Sequence, residues 1–301
     1  MNPQDMTVDL IVVHFRALPS LAKLLESLED NEKAFGSYAV HVVNNGHADS
    51  LLLRWAQAGR IRLYQNGTNL GFARAVNRVL GATQAPYVML MNPDTWFISP
   101  IMGKMVDFME AHPRVGILGP RVLNEDGTLQ GSARSFPDWT TAFFGRRSLC
   151  TRLMPHNRVS RRNVLDRLLC QRTAHAAVDW VSGACMFVRR RAVQDVGGLD
   201  EGFFLYWEDA DWCRRMWQKG WQVVYWPAVD IVHAGGVSSG QDPWRASVAF
   251  HRSALRYYLK HRHRHWAWAD GMVAGFLGVR LLSVLGARAF QSRRLFTGRR
   301  P

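Results

Sequence analysis

Short apolar runs alternate with helical segments along roughly the first hundred residues, and this alternation restricts the fold more than any other feature of the chain. The run VDLIVVHF (8–15) is apolar and rich in β-branched residues, as expected of a buried strand. The next segment, LPSLAKLLESLED (18–30), places its leucines at the helical period. Later segments repeat the alternation: YAVHVVNNG, RIRLYQN and APYVMLMNPD are strand-like, and GFARAVNRVLGAT is helical. Strands that alternate with helices predict an α/β fold with a largely parallel sheet.

Polar residues follow three of the predicted strands, at residues 14–16, 44–46 and 92–94. In open α/β sheets the carboxyl ends of parallel strands lie at one edge, and ligands bind beyond that edge. The three clusters therefore predict one site of nucleotide size.

The alternation weakens after about residue 120, and no linker-like segment precedes about residue 245. We expect one domain over residues 1–245, with halves at 1–120 and 121–245, and then an extension at 246–301. The four cysteines lack C-x-x-C spacing, which argues against a zinc site or a disulfide scaffold and indicates a reducing compartment.

The net charge of +14 is concentrated in two segments. Residues 245–301 hold 12 Lys and Arg against one acid, and residues 145–175 hold eight Arg against one acid. The rest of the chain is slightly acidic. This distribution fits a phosphate-rich partner, either nucleic acid or an anionic membrane surface, and solvated basic loops are the alternative.

The apolar tail MVAGFLGVRLLSVLGARAF (272–290) is interrupted by Arg280 and Arg288. A spanning helix needs roughly 20 apolar residues with few or no charges, and the two arginines argue against one. An amphipathic helix in the membrane interface fits better, and a helix packed on the domain is the alternative.

Two motifs in the first half are candidates for binding a diphosphate. Asp94 lies just past an apolar strand in LMNPDTWF, where a carboxylate can hold Mg²⁺ or Mn²⁺, although an NPD turn is common. Gly71 and Phe72 begin a predicted helix in NLGFARAVN, where bare N–H groups suit an anion and Arg74 adds charge. An ordinary helix capped by Asn69 is the alternative.

The stretch FLYWEDADWCRRMWQKGW (204–221) places Glu208, Asp209 and Asp211 among aromatic residues. Acids in a first helical turn are favoured by the helix dipole, which is sufficient reason for them to be there. Alternatively, aromatic burial and a like-charged neighbour raise a carboxylate's pKa and suit it to act as a general base. His233, at the end of a strand-like run, is either structural or a metal ligand beside Asp94.

Taken together and in order, several segments between about residues 8 and 260 resemble family-2 glycosyltransferases, most closely their bacterial rhamnosyltransferase-like branch. The resemblance implies a GT-A fold with a mostly parallel central sheet, and an inverting transfer of sugar from a nucleotide diphosphate. The matching segments are NLGFARAVN, MNPDT, HPRVGILGPRVLNEDGTLQGSARSFP, VDWVSGACMFVRR, GGLDEGFFLYWEDADWCRRMWQKGW and VVYWPAVDIVHAGG.

The resemblance also implies functions for individual residues. NPD is similar to the family's D-x-D motif, so Asp94 would anchor Mg²⁺ or Mn²⁺ and the diphosphate, with His233 as a further ligand. Asp209 would be the general base, and Glu208 and Asp211 would support it or touch the acceptor. The nucleotide side would comprise His14, Phe15, Arg16, Asn44, Asn69, Gly71, Phe72, Arg74, Asn77 and Asn92, and the acceptor side Trp180, Gly183, Ala184 and Asp211.

Two strand ends depart from the family pattern. The first commonly ends in Asn/Ser-Tyr-Asn and here ends in His14-Phe15-Arg16, and Asn44 stands where an Asp is usual. The latter puts base specificity in doubt, because that Asp is expected to meet the base or ribose.

The branch implies L-rhamnose transfer from dTDP-L-rhamnose onto a lipid-linked or lipopolysaccharide glycan, at the cytoplasmic face of the inner membrane and without a nucleic-acid partner. The basic segments would then contact acceptor phosphates and an anionic bilayer. The alternatives are the same fold with a UDP-sugar donor, or a non-catalytic module that binds phosphates or membranes.

Overall fold

The computed structural model describes residues 7–35, 37–136, 169, 174–262 and 266–297. Nine strands form one central sheet and two more form a small separate sheet. The strands are β1 (Val8–His14), β2 (Tyr38–Asn44), β3 (Arg62–Gln65), β4 (Tyr87–Met91), β5 (Thr95–Phe97), β6 (Val115–Leu123), β7 (Ala133–Arg134), β8 (Ala176–Ala177), β9 (Trp180–Val181), β10 (Cys185–Arg189) and β11 (Gln222–His233).

The central sheet has the strand order β3-β2-β1-β4-β10-β6-β11-β5, and β8 pairs with β11. Six of its nine strands, β1 to β4, β6 and β11, run in one direction, which confirms the predicted α/β class with a mostly parallel sheet. Strand β10 is inserted antiparallel between β4 and β6. This insertion carries the second half of the chain into the middle of the sheet.

Helices cover both faces of the sheet. Strand β1 is buried along its whole length, and its residues alternate between two apolar clusters, with Leu10 and Val12 in one and Ile11 and Val13 in the other. The helices are α1 (Leu18–Ser27), α2 (Glu29–Ala34), α3 (Ser50–Gln57), α4 (Phe72–Leu80), α5 (Met102–Ala111), α6 (Arg190–Val196), α7 (Glu208–Gln218), α8 (Val237–Gly240), α9 (Pro243–His261) and α10 (Ala267–Thr297).

Helix α9 crosses the predicted boundary at residue 245 and packs against residues 200–210. Its Tyr257 is 3% exposed and contributes to a small apolar cluster with Phe203 and Ala210. Asp200 accepts from Arg256 and Lys260 at 2.9 and 2.6 Å, which ties α9 to the loop before α7. The first part of the predicted extension is therefore integrated with the preceding domain.

Helix α10 differs from the expectation drawn from its arginines. Its Ala267–Phe290 stretch is 24 residues long, is sufficiently apolar to cross a membrane by length and composition, and is only 6% buried. A few core helices of soluble proteins pass the same criterion, but they are mostly buried. A position of α10 in the membrane interface stays a prediction. The Arg-rich stretch 145–175 lies outside the described residues except for 169, 174 and 175.

A buried ion-pair network lies at the N-terminal end of the central strand β1. Asp9 Oδ2 accepts from Arg190 at 2.9 Å and Asp9 Oδ1 lies 3.0 Å from His41 Nε2. Burial opposes ionisation of Asp9, but its hydrogen bond and charge contact with His41, and the N–H of Ala85, hold its pKa below the ordinary value.

Replacing Asp9 by Ala should lower the free energy of unfolding by about 3–5 kcal/mol, because it leaves Arg190 charged and unpaired in the interior. The contribution of Asp9 should be complete above its unfolded pKa of about 3.9 and be lost as the pH falls through its lower folded pKa. Urea denaturation at several pH values measures both effects. Asp30→Ala is the matched control, since Asp30 pairs with Lys33 at the surface and should leave stability within error; equal losses would contradict the prediction.

Candidate active site

Asp94 and His233 meet where β4, β5 and β11 converge. Asp94 lies in the turn between β4 and β5, and the antiparallel pairing of β5 with β11 places His233 opposite Thr95. His233 Nε2 is 3.3 Å from Asp94 Oδ1, and Asp94 is 4% exposed. Burial opposes ionisation of Asp94, but the hydrogen bond and charge of His233 and the N–H of Val237 hold its pKa below the ordinary value. The sequence prediction that these two residues come together is met by this geometry.

The hydrogen bonds around His233 suit it to bind a cation. Its Nδ1 lies 2.6 Å from Gln130 Oε1, an acceptor, so Nδ1 carries a proton. The charged ring donates from Nε2 to Asp94, and the neutral ring, which is the form that binds a metal, presents the Nε2 lone pair on the same side. Two ligands of an octahedral ion at about 2.1 Å lie ~3 Å apart, close to the observed separation. Within the described residues no group of three or more His, Cys, Asp or Glu forms a metal cluster, so the diphosphate and water would complete the shell.

Asp209 lies in the first turn of α7 and is half-buried. Its Oδ2 accepts from the Gly183 N–H at 2.9 Å and its Oδ1 from the Ala210 N–H at 2.8 Å. Burial raises the pKa of Asp209, although these N–H groups and the charge of Arg134 offset part of the increase. A carboxylate with a raised pKa at the wall of a cleft can act as a general base.

Glu208 differs from its neighbour in having one carboxylate oxygen without a hydrogen-bond partner among the described residues. It is 6% exposed, and its Oε2 has no hydrogen-bond partner in the part of the chain that the structure describes. Burial and the adjacent charge of Asp209 raise the pKa of Glu208 well above the ordinary value. The protonated form of Glu208 is therefore favoured beside an ionised Asp209.

The peptide at Gly183 and Ala184 connects the two acidic centres. The Asn92 N–H donates to the Ala184 carbonyl at 3.1 Å, and the Gly183 N–H donates to Asp209. The loop that carries Asp94 and the turn that carries Asp209 thus lie on either side of this short segment. Gly183 and Ala184, predicted for the acceptor side, belong to the segment that contacts both the Asp94 loop and Asp209.

The backbone that leads into α7 is strained. Tyr206 and Trp207 both have left-handed conformations, with φ of 67° and 73°. For residues with large side chains this costs about 1–3 kcal/mol each, and such strain concentrates at functional sites. Trp207 is the N-terminal cap of α7, so the strained turn determines how Glu208 and Asp209 leave the loop.

Asp211 is not available to an acceptor, which corrects the sequence prediction. It is completely buried, and it contacts Lys260 Nζ and His261 Nε2 at 2.7 Å and Arg215 Nε at 2.9 Å. The sequence could not reveal these partners, because two of them come from α9, about 50 residues further along. Asp211 holds α9 against α7. Burial opposes the ionisation of Asp211, but these cationic partners outweigh burial and hold its pKa below the ordinary value.

Asn44 also has an internal function instead of the predicted nucleotide contact. Its amide nitrogen donates to the His47 carbonyl and to Gln65 Oε1, and its amide oxygen accepts from the Gly46 N–H, all within 2.9 Å. All of the strong hydrogen-bonding groups of the side chain are thus engaged in shaping the turn after β2. An Asp at this position would lose both donor contacts.

The helix start at Gly71 and Phe72 is closed, which corrects the prediction of bare N–H groups. Gly71 N–H donates to Asn69 Oδ1 at 3.0 Å and Phe72 N–H donates to the Phe204 carbonyl at 2.8 Å. A Cβ at Gly71 would lie 2.5 Å from the Phe204 carbonyl oxygen, so only glycine allows this close approach. The segment therefore joins α4 to the loop before α7.

Two further residues of α4 tie it to the loop before α7. The Asn77 amide donates to the Leu199 carbonyl and accepts from the Leu199 N–H, at 2.8 and 2.9 Å. Arg74 pairs with Glu201 at 3.4 Å and is largely exposed. The contacts of Asn77 are structural, in place of the nucleotide contact predicted from its position.

The end of β1 keeps the predicted position at the site's edge. His14 is 5% exposed, and burial lowers its pKa to about 4, so it is neutral at neutral pH. Its Nδ1 has no partner among the described residues. Arg16 is exposed in a left-handed conformation with φ of 52°, and its guanidinium lies 5.2 Å from the Phe15 ring. These residues stay candidates for the nucleotide.

Arg134 is a site residue that the sequence did not single out. It lies on β7 opposite Trp180 on β9, with its guanidinium carbon 4.9 Å from the Trp180 ring, and its charge lowers the pKa of Asp209. The Trp180 indole N–H donates to the Ser135 carbonyl at 2.9 Å, which fixes this wall. Arg134 and Gln130 both lie in the loop-like segment DGTLQGSARSFP, where no sequence pattern distinguishes a site residue from its neighbours.

Comparisons with known proteins agree with this geometry. The profile described as Glycosyl transferase family 2 matches residues 9–197. The N-acetylglucosaminyl-diphospho-decaprenol L-rhamnosyltransferase of Mycobacterium tuberculosis is 30% identical over 269 residues, which is 85% of each chain. Rhamnosyltransferase WbbL of Escherichia coli is 33% identical over 90 residues, covering 30% of this chain and 31% of that protein.

A solved structure shares the fold. The mannosyltransferase PcManGT from Pyrobaculum calidifontis, in complex with GDP-Man and Mn²⁺, superposes with a TM-score of 0.58 at 15% identity, covering 96% of this chain and 81% of that one. This likeness confirms the predicted GT-A fold. The chain belongs to the family-2 glycosyltransferases, in their rhamnosyltransferase branch.

Proposed function

We propose that the protein transfers L-rhamnose from dTDP-L-rhamnose, with inversion, onto a lipid-linked or lipopolysaccharide glycan during cell-surface polysaccharide synthesis. The observation that carries this proposal is the arrangement of Asp94 with His233 on one side of the Gly183 peptide and Asp209 on the other. The name of the M. tuberculosis relative supports a lipid-diphosphate acceptor and a rhamnosyl donor.

Asp209 is the general base of the proposed reaction. It accepts the proton of the acceptor hydroxyl as that oxygen attacks the anomeric carbon, and the bond from this carbon to the diphosphate oxygen breaks. One displacement inverts the anomeric configuration. The Gly183 N–H and Arg134 favour the ionised form of Asp209 against the effect of its burial, whereas burial and the charge of Asp209 favour the protonated form of Glu208.

Asp94 and His233 are the proposed ligands of Mg²⁺ or Mn²⁺. When bound, such an ion neutralises the charge that develops on the departing diphosphate. Gln130 fixes the ring of His233 through Nδ1, and Asn92 Nδ2 lies 3.3 Å from its Nε2. Gln130 acts in the manner of the outer partners of metal-binding histidines, whereas Asn92 contacts the nitrogen that a cation would take, and this contact would be given up on metal binding.

Replacing Asp209 by Asn should lower kcat by about 10²–10⁴-fold, because the amide cannot accept the acceptor proton but can still accept from the Gly183 N–H. Donor affinity, measured by calorimetry with dTDP-L-rhamnose, should be unchanged. In the wild type, the acid limb of kcat/KM should lie above the ordinary Asp pKa of about 3.9, because burial raises the pKa of Asp209. Asp195→Asn, on the surface of α6, is the control, and wild-type turnover by Asp209→Asn would refute the assignment.

Removal of divalent cations with EDTA should abolish transfer, and Mn²⁺ or Mg²⁺ should restore it. His233→Ala should raise the cation concentration that gives half-maximal activity by about 10–100-fold, because one of two protein ligands is lost. Calorimetric titration of dTDP into the wild type and His233→Ala, with and without Mn²⁺, measures the loss of cation affinity without turnover. The same titration with UDP tests which nucleotide base the donor carries. His112→Gln, away from the cleft, is the control; an EDTA-resistant enzyme would exclude these ligands.

We also propose that α10 attaches the enzyme to the cytoplasmic face of the inner membrane. Among its most exposed side chains are Trp268, Met272, Val279 and Leu282, at 63–70% exposure. Trp266 and Trp268 stack at its start with ring centroids 5.6 Å apart, and tryptophans are typical of the membrane–water interface. An apolar helix with this exposure is stabilised by removal from water.

The double substitution Val279→Asp with Leu282→Asp should abolish sedimentation with anionic vesicles and leave the folded domain intact, because both side chains are exposed. A chain that ends after residue 262 should also fail to sediment. Leu53→Asp on α3, where Leu53 is 49% exposed, is the matched control and should bind like the wild type. If the truncated chain sediments as fully as the intact one, α10 is not the anchor.

A further inference from the structure

Helix α9 supports the backbone just before the strained turn. Ser253 is on its inner face, 4% exposed, and its hydroxyl donates to the Leu205 carbonyl at 3.0 Å. Leu205 directly precedes Tyr206 and Trp207, the two residues with left-handed backbone. The hydrogen bond therefore fixes the first peptide of the turn from outside it.

Aromatic side chains of α9 contact the turn itself. The Phe250 ring centroid lies 5.8 Å from that of Tyr206 and 5.7 Å from that of Trp207. The Tyr257 ring lies 5.3 Å from Trp207. Each of these distances is within the range of favourable aromatic pairs, so α9 contacts both strained residues through side chains as well as backbone.

The strained turn at residues 205–207 sets the direction of α7. The Trp207 carbonyl accepts from the Asp211 N–H at 2.9 Å, which is the first hydrogen bond of the helix. Left-handed conformations of large residues persist only where the surroundings enforce them. Here the hydrogen bond and the aromatic contacts from α9 enforce them, and the residues directly after the turn are Glu208 and Asp209.

We propose that Ser253 is a positioning residue for the general base: through the Leu205 carbonyl it holds the turn at 205–207 and keeps the Asp209 carboxylate on the Gly183 N–H. Ser253 contacts neither donor nor acceptor in this proposal. The inference rests on the proposed function, in which Asp209 accepts the acceptor proton. It makes helix α9 part of the structure that positions the general base.

The test is Ser253→Ala, assayed for transfer from dTDP-L-rhamnose to N-acetylglucosaminyl-diphospho-polyprenol. We expect kcat to fall about 10–100-fold while donor KM is unchanged, since a small displacement of a catalytic group has an effect of this size. The acid limb of kcat/KM should also move to higher pH, because a looser contact with the Gly183 N–H lowers the pKa of Asp209 less. Ser253→Thr keeps the hydroxyl and should restore both properties.

Ser247→Ala is the matched control. Ser247 is also buried on α9, at 8% exposure, but its hydroxyl donates to the Pro243 carbonyl within the same helix at 2.8 Å. It should retain the wild-type kcat and pH profile. If Ser253→Ala does not fold, Phe250→Leu keeps an apolar side chain, weakens the contact with the same turn, and should show the same loss of kcat at unchanged donor KM.

The outcomes separate this inference from the proposed function. Wild-type kcat in Ser253→Ala with an inactive Asp209→Asn overturns the positioning effect and leaves the base assignment intact. A loss that Ser247→Ala reproduces, or that Ser253→Thr does not reverse, also overturns it. Turnover by Asp209→Asn instead removes the base on which both proposals depend.

Discussion

The hydrogen bond from the Gly183 N–H to Asp209 joins the two parts of the chain on which the site depends. Gly183 precedes β10, the antiparallel strand that lies next to β4, and Asp94 follows the end of β4. The same peptide segment contacts Asn92 through the Ala184 carbonyl. The segment 183–184 therefore links the Asp209 carboxylate on α7 to the loop that carries Asp94.

Three acids in the first turn of α7 show how strongly surroundings determine chemistry. Asp211 is buried with three cationic or potentially cationic partners, so it stays ionised and structural. Glu208 is buried with no partner for its Oε2 within the described ranges, so its proton is retained. Asp209 has two N–H donors and a nearby arginine, an intermediate case that leaves it both ionisable and basic. Only the intermediate environment suits proton transfer.

The sequence predicted the fold, which depends on local patterns, and it singled out Asp94 and His233, which the structure places 3.3 Å apart. Strand and helix periods are legible in the sequence, and Asp94, His233 and Asp209 belong to short motifs. The errors at Asn44, Phe72 and Asp211 have another origin: each has a hydrogen-bond partner in a different segment, namely Gln65, Phe204 and His261. A pattern identifies a polar residue at a strand end or helix start, but it cannot show whether the protein itself already uses its polar atoms.

The basic composition of the C-terminal segment also acquires a different meaning from the structure. Arg256 and Lys260 are paired with Asp200 and Asp211, and Arg262 pairs with Asp270, so these charges are largely neutralised within the protein. A basic residue near an anionic bilayer contributes about 1 kcal/mol only when its charge is available. Burial of apolar surface contributes about 25 cal/mol per Å², so in the proposed membrane attachment the exposed side chains of α10 would contribute more than these paired charges. Salt should therefore weaken membrane attachment less than the overall charge of the tail suggests.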